Sequence, residues 1–181
     1  MEIILILLIA LALDLALGEP PNAWHPIAWL GKLISKEMKL APQTGKVRQL
    51  TYGVSIVLAT LGLIALPVYF LLDYLKEINP VIYIAVAGLS LKYSFSLRGL
   101  RQAVNAVKQS LARNNLVEAR TNLRTLVSRD TANLNQSQVI SATAESAAEN
   151  SCDSMVAPLF YFLIFGVPGA IAYRVVNTFD A

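Results

Sequence analysis

Hydrophobic residues in this chain gather into four blocks separated by polar stretches. Residues 3–17 are interrupted only by Asp14, 53–72 carry no charge, 78–91 run directly into Lys92, and 157–173 are broken by Gly166, Pro168 and Gly169. A hydrocarbon core takes about 20 apolar helical residues to cross, and the second block supplies them. The first and third blocks are shorter spans. Proline between two glycines makes the fourth a kinked or re-entrant segment as readily as a straight one. A secretory leader would need a basic start and a small-residue cleavage site, whereas the chain opens Met1-Glu2 and the first block meets Gly18-Glu19-Pro20-Pro21. The pattern predicts an all-α, polytopic helical membrane protein, with residues 1–181 forming a single helical membrane domain.

Between the third and fourth blocks the period changes. Over residues 97–154, Leu100, Val104, Val107 and Leu111 recur at three- and four-residue intervals, as on an amphipathic helix. Asn114-Asn115 punctuates that helix. Residues 116–127 predict a second one, carrying Arg120 and Arg124 at i, i+4, so the pair reads as a basic helical hairpin whose arginines either face water or lipid headgroups or contact a substrate directly. Residues 139–154, rich in Ala and free of Gly and Pro, predict a third.

Charge adds an orientation. The net charge is only +3, with 55% hydrophobic residues and 15% charged ones, but the Lys and Arg residues concentrate in the first and third connections. The positive-inside rule assigns both to the cytoplasm, which predicts a multi-pass protein of the cytoplasmic membrane whose two long polar segments share the cytoplasmic face. The lone Cys152 excludes an internal disulfide and a cysteine metal cluster. Nucleic acid is not an expected partner, because no recognition motif or interleaved aromatics accompany the basic residues.

Candidate chemistry lies in both polar segments. Asp14 is an ionisable group near the end of an apolar span, a functional position by default and an interfacial one otherwise. The two prolines after Glu19 impose a stiff, extended exit. His25, the only histidine, stands before Pro26 and between Trp24 and Trp29, as fits a membrane interface. Alone it is as readily structural as catalytic, although imidazole suits proton transfer near neutral pH. Past Arg129 no Lys or Arg occurs until Arg174, while Glu145, Glu149 and Asp153 follow at i, i+4 and i+8. Such a stripe is either a solvated face or a place for a cation, and Mg²⁺ accepts one or two carboxylates together with phosphate and water.

Taken in order, Asp14-x-x-x-Gly18-Glu19-Pro20-Pro21 with His25-Pro26, Ser128-Arg129-Asp130-Thr131, Glu145-Ser146-x-x-Glu149-Asn150, Asp153, Ala157-Pro158-Leu159-Phe160-Tyr161, Pro168-Gly169-Ala170 and Tyr173-Arg174-x-x-Asn177-Thr178-x-Asp180 resemble the adenosylcobinamide-phosphate synthase family of cobalamin biosynthesis, often called CbiB. The resemblance implies an integral membrane ligase that joins the carboxylate of adenosylcobyric acid, a corrinoid, to the amine of aminopropanol or aminopropanol phosphate, with ATP as co-substrate and Mg²⁺ as cofactor. Under it, His25, Glu145 and Glu149 are the expected catalytic residues, with His25 as proton shuttle. Glu145, Glu149 and Asp153 are the expected metal carboxylates. Asp14, Glu19, Arg129, Asp130, Asn150, Arg174, Asn177 and Asp180 are the expected substrate contacts, the two arginines as phosphate or carboxylate clamps.

Two departures accompany the resemblance. Glu19 stands where members commonly carry Asp, and the chain stops at Asp180-Ala181, inside the family's Asn-Thr-x-Asp motif, so a C-terminal truncation is expected. No Gly-x-x-x-x-Gly-Lys-Ser/Thr loop is present, and ATP rests on the resemblance alone. A non-catalytic membrane regulator or sensor on the same scaffold, an inactive fragment of the enzyme, or a transporter using Asp14 and the broken fourth block are the competing functions; self-association is compatible with each. The Gly-Pro-Gly break decides whether Arg174, Asn177 and Asp180 reach the face that carries the other candidates.

Overall fold

A computed structural model describes residues 1–20, 23 and 25–180. These form helices, with no strand among the described residues: α1 (Glu2–Leu17), α2 (Pro26–Lys39), α3 (Lys46–Ile78), α4 (Pro80–Lys92), α5 (Leu97–Ala112), α6 (Leu116–Leu123), α7 (Gln136–Ser151), a π-helical turn (Cys152–Val156) and α8 (Ala157–Asp180). Three helical stretches are long and apolar enough to cross a membrane, their apolar parts falling in α3, α4 and α8. The chain is a polytopic helical membrane protein. It packs as two compact units, residues 1–95 with 157–181 and residues 96–156. The polar interval 97–154 lies inside the second.

Helix starts follow local chemistry. His25 caps α2, its Nδ1 accepting the Ile27 N–H at 3.2 Å ahead of Pro26, and Asn79 caps α4 by accepting from Val81 and Ile82 ahead of Pro80. In each pair a side-chain acceptor satisfies an orphan amide, and proline takes a first-turn position where no N–H is needed. Asn115 caps α6, and Asn135 with Gln138 forms a reciprocal capping box on α7. Helix α1 ends because Gly18, at φ 68° and ψ −150°, occupies a backbone region that essentially only glycine adopts.

In the membrane unit, α1 and α4 run side by side in the same direction. Glu2 pairs with Lys76 at 3.7 Å, Lys76 covers the Tyr83 ring at 5.7 Å, and further along Gly88 lies against Ile6 and Ile9. A Cβ on Gly88 would come within 2.6 Å of Ile9 Cγ2, so the close approach needs a glycine there. Ile6, Ala10, Leu72, Ala87, Leu91, Phe95, Phe162, Val167 and Ala170 form one buried cluster. Helix α2 lies along the first half of α3: the Tyr52 hydroxyl donates to the Glu37 carbonyl at 2.6 Å, and the Thr60 hydroxyl donates to the Glu37 carboxylate at 3.1 Å. Leu30 and Ile34 of α2 close a second cluster with Val175.

The fourth hydrophobic block turns back on itself. Gly166, at φ 67° and ψ −164°, interrupts α8. The Tyr161 and Tyr173 rings stack at 5.1 Å, whereas twelve residues of continuous helix would separate them by about 18 Å. Gly169 makes the contact between the arms, since a Cβ there would meet Phe165 and lie 2.8 Å from the Tyr161 carbonyl oxygen. The arms, residues 157–165 and 167–180, are about 14 and 21 Å long at 1.5 Å per residue. Neither arm alone matches a hydrocarbon core of about 30 Å.

The second unit packs α5, α6 and α7 around Val107, Ala119, Leu123, Val139 and Ala142. The basic hairpin is present, with α6 ending at Leu123, earlier than the sequence pattern suggested. Arg120 and Arg124 are not simply a solvated surface. Arg120 Nε donates to the Leu134 carbonyl at 2.6 Å and Arg124 Nε to the Thr131 hydroxyl at 3.3 Å, while the buried Thr131 donates to the Arg120 carbonyl at 2.9 Å. Together they pin the loop before α7.

Candidate functional site

Four of the predicted or flanking groups in the membrane unit are linked through Tyr93. Because His25 Nδ1 accepts a backbone N–H in the α2 cap, the neutral ring must carry its proton on Nε2, and Nε2 hydrogen-bonds the Glu19 carboxylate. Both imidazole nitrogens are therefore committed, one to structure and one to a proton-accepting carboxylate. The His25 ring meets Tyr93 edge-on, with centroids 6.2 Å apart. Tyr93 and Arg174 line one cavity of about 210 Å³ together with Pro26, Ile27, Ser90 and Ser94. The reversal at Gly166 is what makes this convergence available: it returns residues 171–175 to the level of Tyr93 and of the start of α2.

Sequence reasoning missed Lys92, Tyr93 and Ser94. Lys92 is only 4% exposed, with Nζ 5.0 Å from the Tyr93 ring centroid. A lysine that ends an apolar block was the available signal, since a buried cation in a membrane unit is costly unless it serves packing or a ligand. Asp14 is fully buried in the last turn of α1, and its carbonyl accepts the Gly18 N–H at 2.9 Å. Asn177 is half-buried, about one turn past Arg174, and Asp180 is exposed at the end of α8; neither lines the cavity. Pro21, Asn22 and Trp24, part of the stiff exit and of the aromatic bracket read from the sequence, lie outside the described residues, as does Ala181.

The remaining candidates belong to the second unit. Arg129 donates to Glu145 at 3.0 Å, with both side chains more than half exposed. Glu149 is exposed one turn further along α7, and Asp153 falls in the π-helical turn. The Asp130 carboxylate accepts the Ala132 N–H at 2.9 Å, an Asx turn, and the Asn150 amide donates to the Ser146 carbonyl at 2.8 Å. Both are thus engaged in local structure.

The acidic stripe does not gather into a metal site. No group of three or more His, Cys, Asp or Glu side chains is poised for a metal ion among the described residues. Glu145 and Asp153 lie eight residues apart, about 12 Å along a helix, beyond what one ion with oxygen ligands at about 2.0–2.6 Å can bridge. Glu145, Glu149 and Asp153 therefore do not close together on one ion.

The family model described as CobD/Cbib protein matches residues 7–181. The chain is 49% identical over 181 residues to the cobalamin biosynthesis protein CobD of Dehalococcoides mccartyi, an alignment covering 100% of this chain and 59% of that one. It is 38% identical over 178 residues to the protein of Pyrococcus furiosus named probable cobalamin biosynthesis protein CobD, covering 96% of this chain and 58% of the relative. The Thermoplasma volcanium protein of the same name is 36% identical over 179 residues, at 98% and 58% coverage. The chain thus spans less than two thirds of the length of these curated relatives. No solved structure matches it.

Proposed function

Because the chain belongs to the CobD/CbiB family, we propose that it serves cobalamin biosynthesis in a membrane ligase that joins adenosylcobyric acid to aminopropanol or aminopropanol phosphate at the expense of ATP. The observation that carries this reading is the Glu19–His25 pair, whose imidazole meets Tyr93 edge-on, with Tyr93 and Arg174 lining one cavity. Amide formation from a carboxylate needs an activated acyl group, a deprotonated amine and a counter-charge for the phosphate or carboxylate involved. A carboxylate hydrogen-bonded to imidazole can relay the proton an attacking ammonium must lose. The Arg174 guanidinium matches a phosphate or carboxylate at two points.

ATP would supply the activation by giving its γ-phosphoryl group to the corrinoid carboxylate with release of ADP, and the phosphate would leave as the amine closes the amide bond. Mg²⁺ carried with the nucleotide would offset the phosphate charge, and the chain's own contribution is positioning and proton transfer. In this reading the lysines and arginines of the first and third connections assign those two connections to the cytoplasm.

The test is direct. Purified chain in detergent is incubated with adenosylcobyric acid, aminopropanol phosphate, ATP and Mg²⁺, with the full-length Dehalococcoides mccartyi relative as positive control. Mass spectrometry should find the corrinoid carboxylate converted to its amide. If the relative forms product and this chain, alone or mixed with an inactive form of the relative, never does, the ligase reading fails for this chain.

A further inference from the structure

The tip of the hairpin formed by α2 and α3, residues 36–50, combines exposed positive charge with exposed apolar side chains. Lys36, Lys39, Lys46 and Arg48 all face solvent there, and none of them forms an ion pair among the described residues. Between Pro20 and Leu72 the sequence holds a single acid, Glu37. Its carboxylate accepts from the Thr60 hydroxyl, a group only 1% exposed, and is thereby turned onto α3. Leu40, Val47 and Leu50 stand among the cations at 77%, 76% and 69% exposure.

Local hydrogen bonds hold this tip in one shape. The Gln49 amide donates to the Pro42 and Gln43 carbonyls at 3.2 and 3.4 Å, and the Tyr52 hydroxyl donates to the Glu37 carbonyl at 2.6 Å. The second contact ties the end of α2 to the point where the charge-free stretch 53–72 begins. Lys46 precedes Gly53 by seven residues, about 10 Å of helix, and a bilayer carries about 5–7 Å of headgroup region beyond each side of its hydrocarbon. With 53–72 in the hydrocarbon, the four cations come to headgroup level.

Fold stability does not account for all four. Lys36 and Lys39 lie in the last turn of α2 and complement its negative end, but Lys46 and Arg48 occupy the first turn of α3, where the positive helix end disfavours cations. An anion from outside the chain offsets that repulsion.

We propose that the α2–α3 tip is a docking surface for anionic phospholipid headgroups, with lipid phosphates among Lys36, Lys39, Lys46 and Arg48 and with Leu40, Val47 and Leu50 at the acyl boundary. A soluble polyanion would leave the three apolar side chains in water, and a zwitterionic surface would leave the four cations uncompensated. None of these residues lines the cavity of Tyr93 and Arg174, so the surface is independent of the ligase function proposed above.

The full chain in dodecyl maltoside is mixed with phosphatidylglycerol or with phosphatidylcholine, and bound lipid is counted by native mass spectrometry. Phosphatidylglycerol should bind about ten-fold or more tightly, and Lys46→Gln and Arg48→Gln should each weaken it by about five-fold. These two variants separate lipid binding from a role in folding: resistance to unfolding should stay unchanged or rise, because a cation is removed from a positive helix end. Arg101→Gln with Lys108→Gln, exposed cations of α5, should leave binding as it was. Equal affinity for the two lipids overturns the proposal, as does wild-type binding of phosphatidylglycerol by the Lys46→Gln, Arg48→Gln double variant. An equal loss in the α5 double variant also overturns it, since net charge alone would then be responsible. Displacement of phosphatidylglycerol by millimolar inorganic phosphate or by polyglutamate does the same, because the tip would then be a site for soluble anions or an acidic protein.

Discussion

The reversal of α8 lends itself to a quantitative test, since a straight helix and a helical hairpin make opposite demands on Tyr161 and Tyr173. In a continuous helix the two residues lie about 18 Å apart along the axis and cannot interact. In the structure their rings stack at 5.1 Å and 20°, an arrangement worth about 0.5–1.5 kcal/mol beyond simple burial. A double-mutant cycle with Tyr161→Leu and Tyr173→Leu should return a coupling of that size, above the roughly 0.3–0.5 kcal/mol scatter of independent sites. Gly166→Ala supplies the backbone half of the test. The nearest atom to a Cβ there is Pro168 Cδ at 3.8 Å, so crowding is absent and the penalty comes from φ 67° and ψ −164°, about 1–3 kcal/mol. Gly62→Ala is the control, a helical glycine whose Cβ would meet only Leu66 Cδ1 at 3.8 Å, and it should stabilise by about 0.5–1 kcal/mol. Unfolding is followed by circular dichroism in mixed detergent micelles of rising denaturing fraction. No coupling between the tyrosines, with Gly166→Ala as benign as Gly62→Ala, would mean that α8 is straight and would take Arg174 away from Tyr93.

Other outcomes can be read separately. Glu19→Gln should lower amide formation about 10²-fold or more, the scale of a lost proton-transfer partner, with unfolding unchanged; full turnover would confine Glu19 to a structural role. Arg129 and Glu145 are 55% and 68% exposed in their side chains, so a double-mutant cycle on stability should give at most about 1 kcal/mol and shrink toward zero in 1 M salt. Arg120→Ala should cost about 1.5–3 kcal/mol, the range for a hydrogen bond from a charged donor, and speed proteolysis between Val127 and Leu134; an unaffected loop would show that the bond to the Leu134 carbonyl contributes nothing.

Much of this architecture was readable along the chain. The blocks at 3–17, 53–72, 78–91 and 157–173 correspond to α1, α3, α4 and α8, because hydropathy over a helix is a local, additive property. Caps were equally local: His25-Pro26 and Asn79-Pro80 begin helices, since one side-chain acceptor and one proline act within a single turn. The ordered motifs also pointed to the family that the comparisons identify. Arg120 and Arg124 were misjudged for the complementary reason: their partners, Leu134 and Thr131, lie across a loop whose path no periodicity records.

By itself, then, the sequence determined that this is an all-helical membrane protein of the CobD/CbiB family, with apolar helices flanking a basic, amphipathic polar segment. Only the tertiary structure decided which candidates meet. Glu19 pairs with His25, His25 meets Tyr93, and Tyr93, Ser94 and Arg174 line one cavity, while Glu145, Glu149 and Asp153 stay spread along α7 and the π-helical turn. The physical reason is that convergence depends on reversals rather than on composition. Gly166 can take a backbone conformation closed to other residues, and Gly169 lets the returning arm approach. Glycines announce that a turn is permitted, but its direction is set by what the arms pack against.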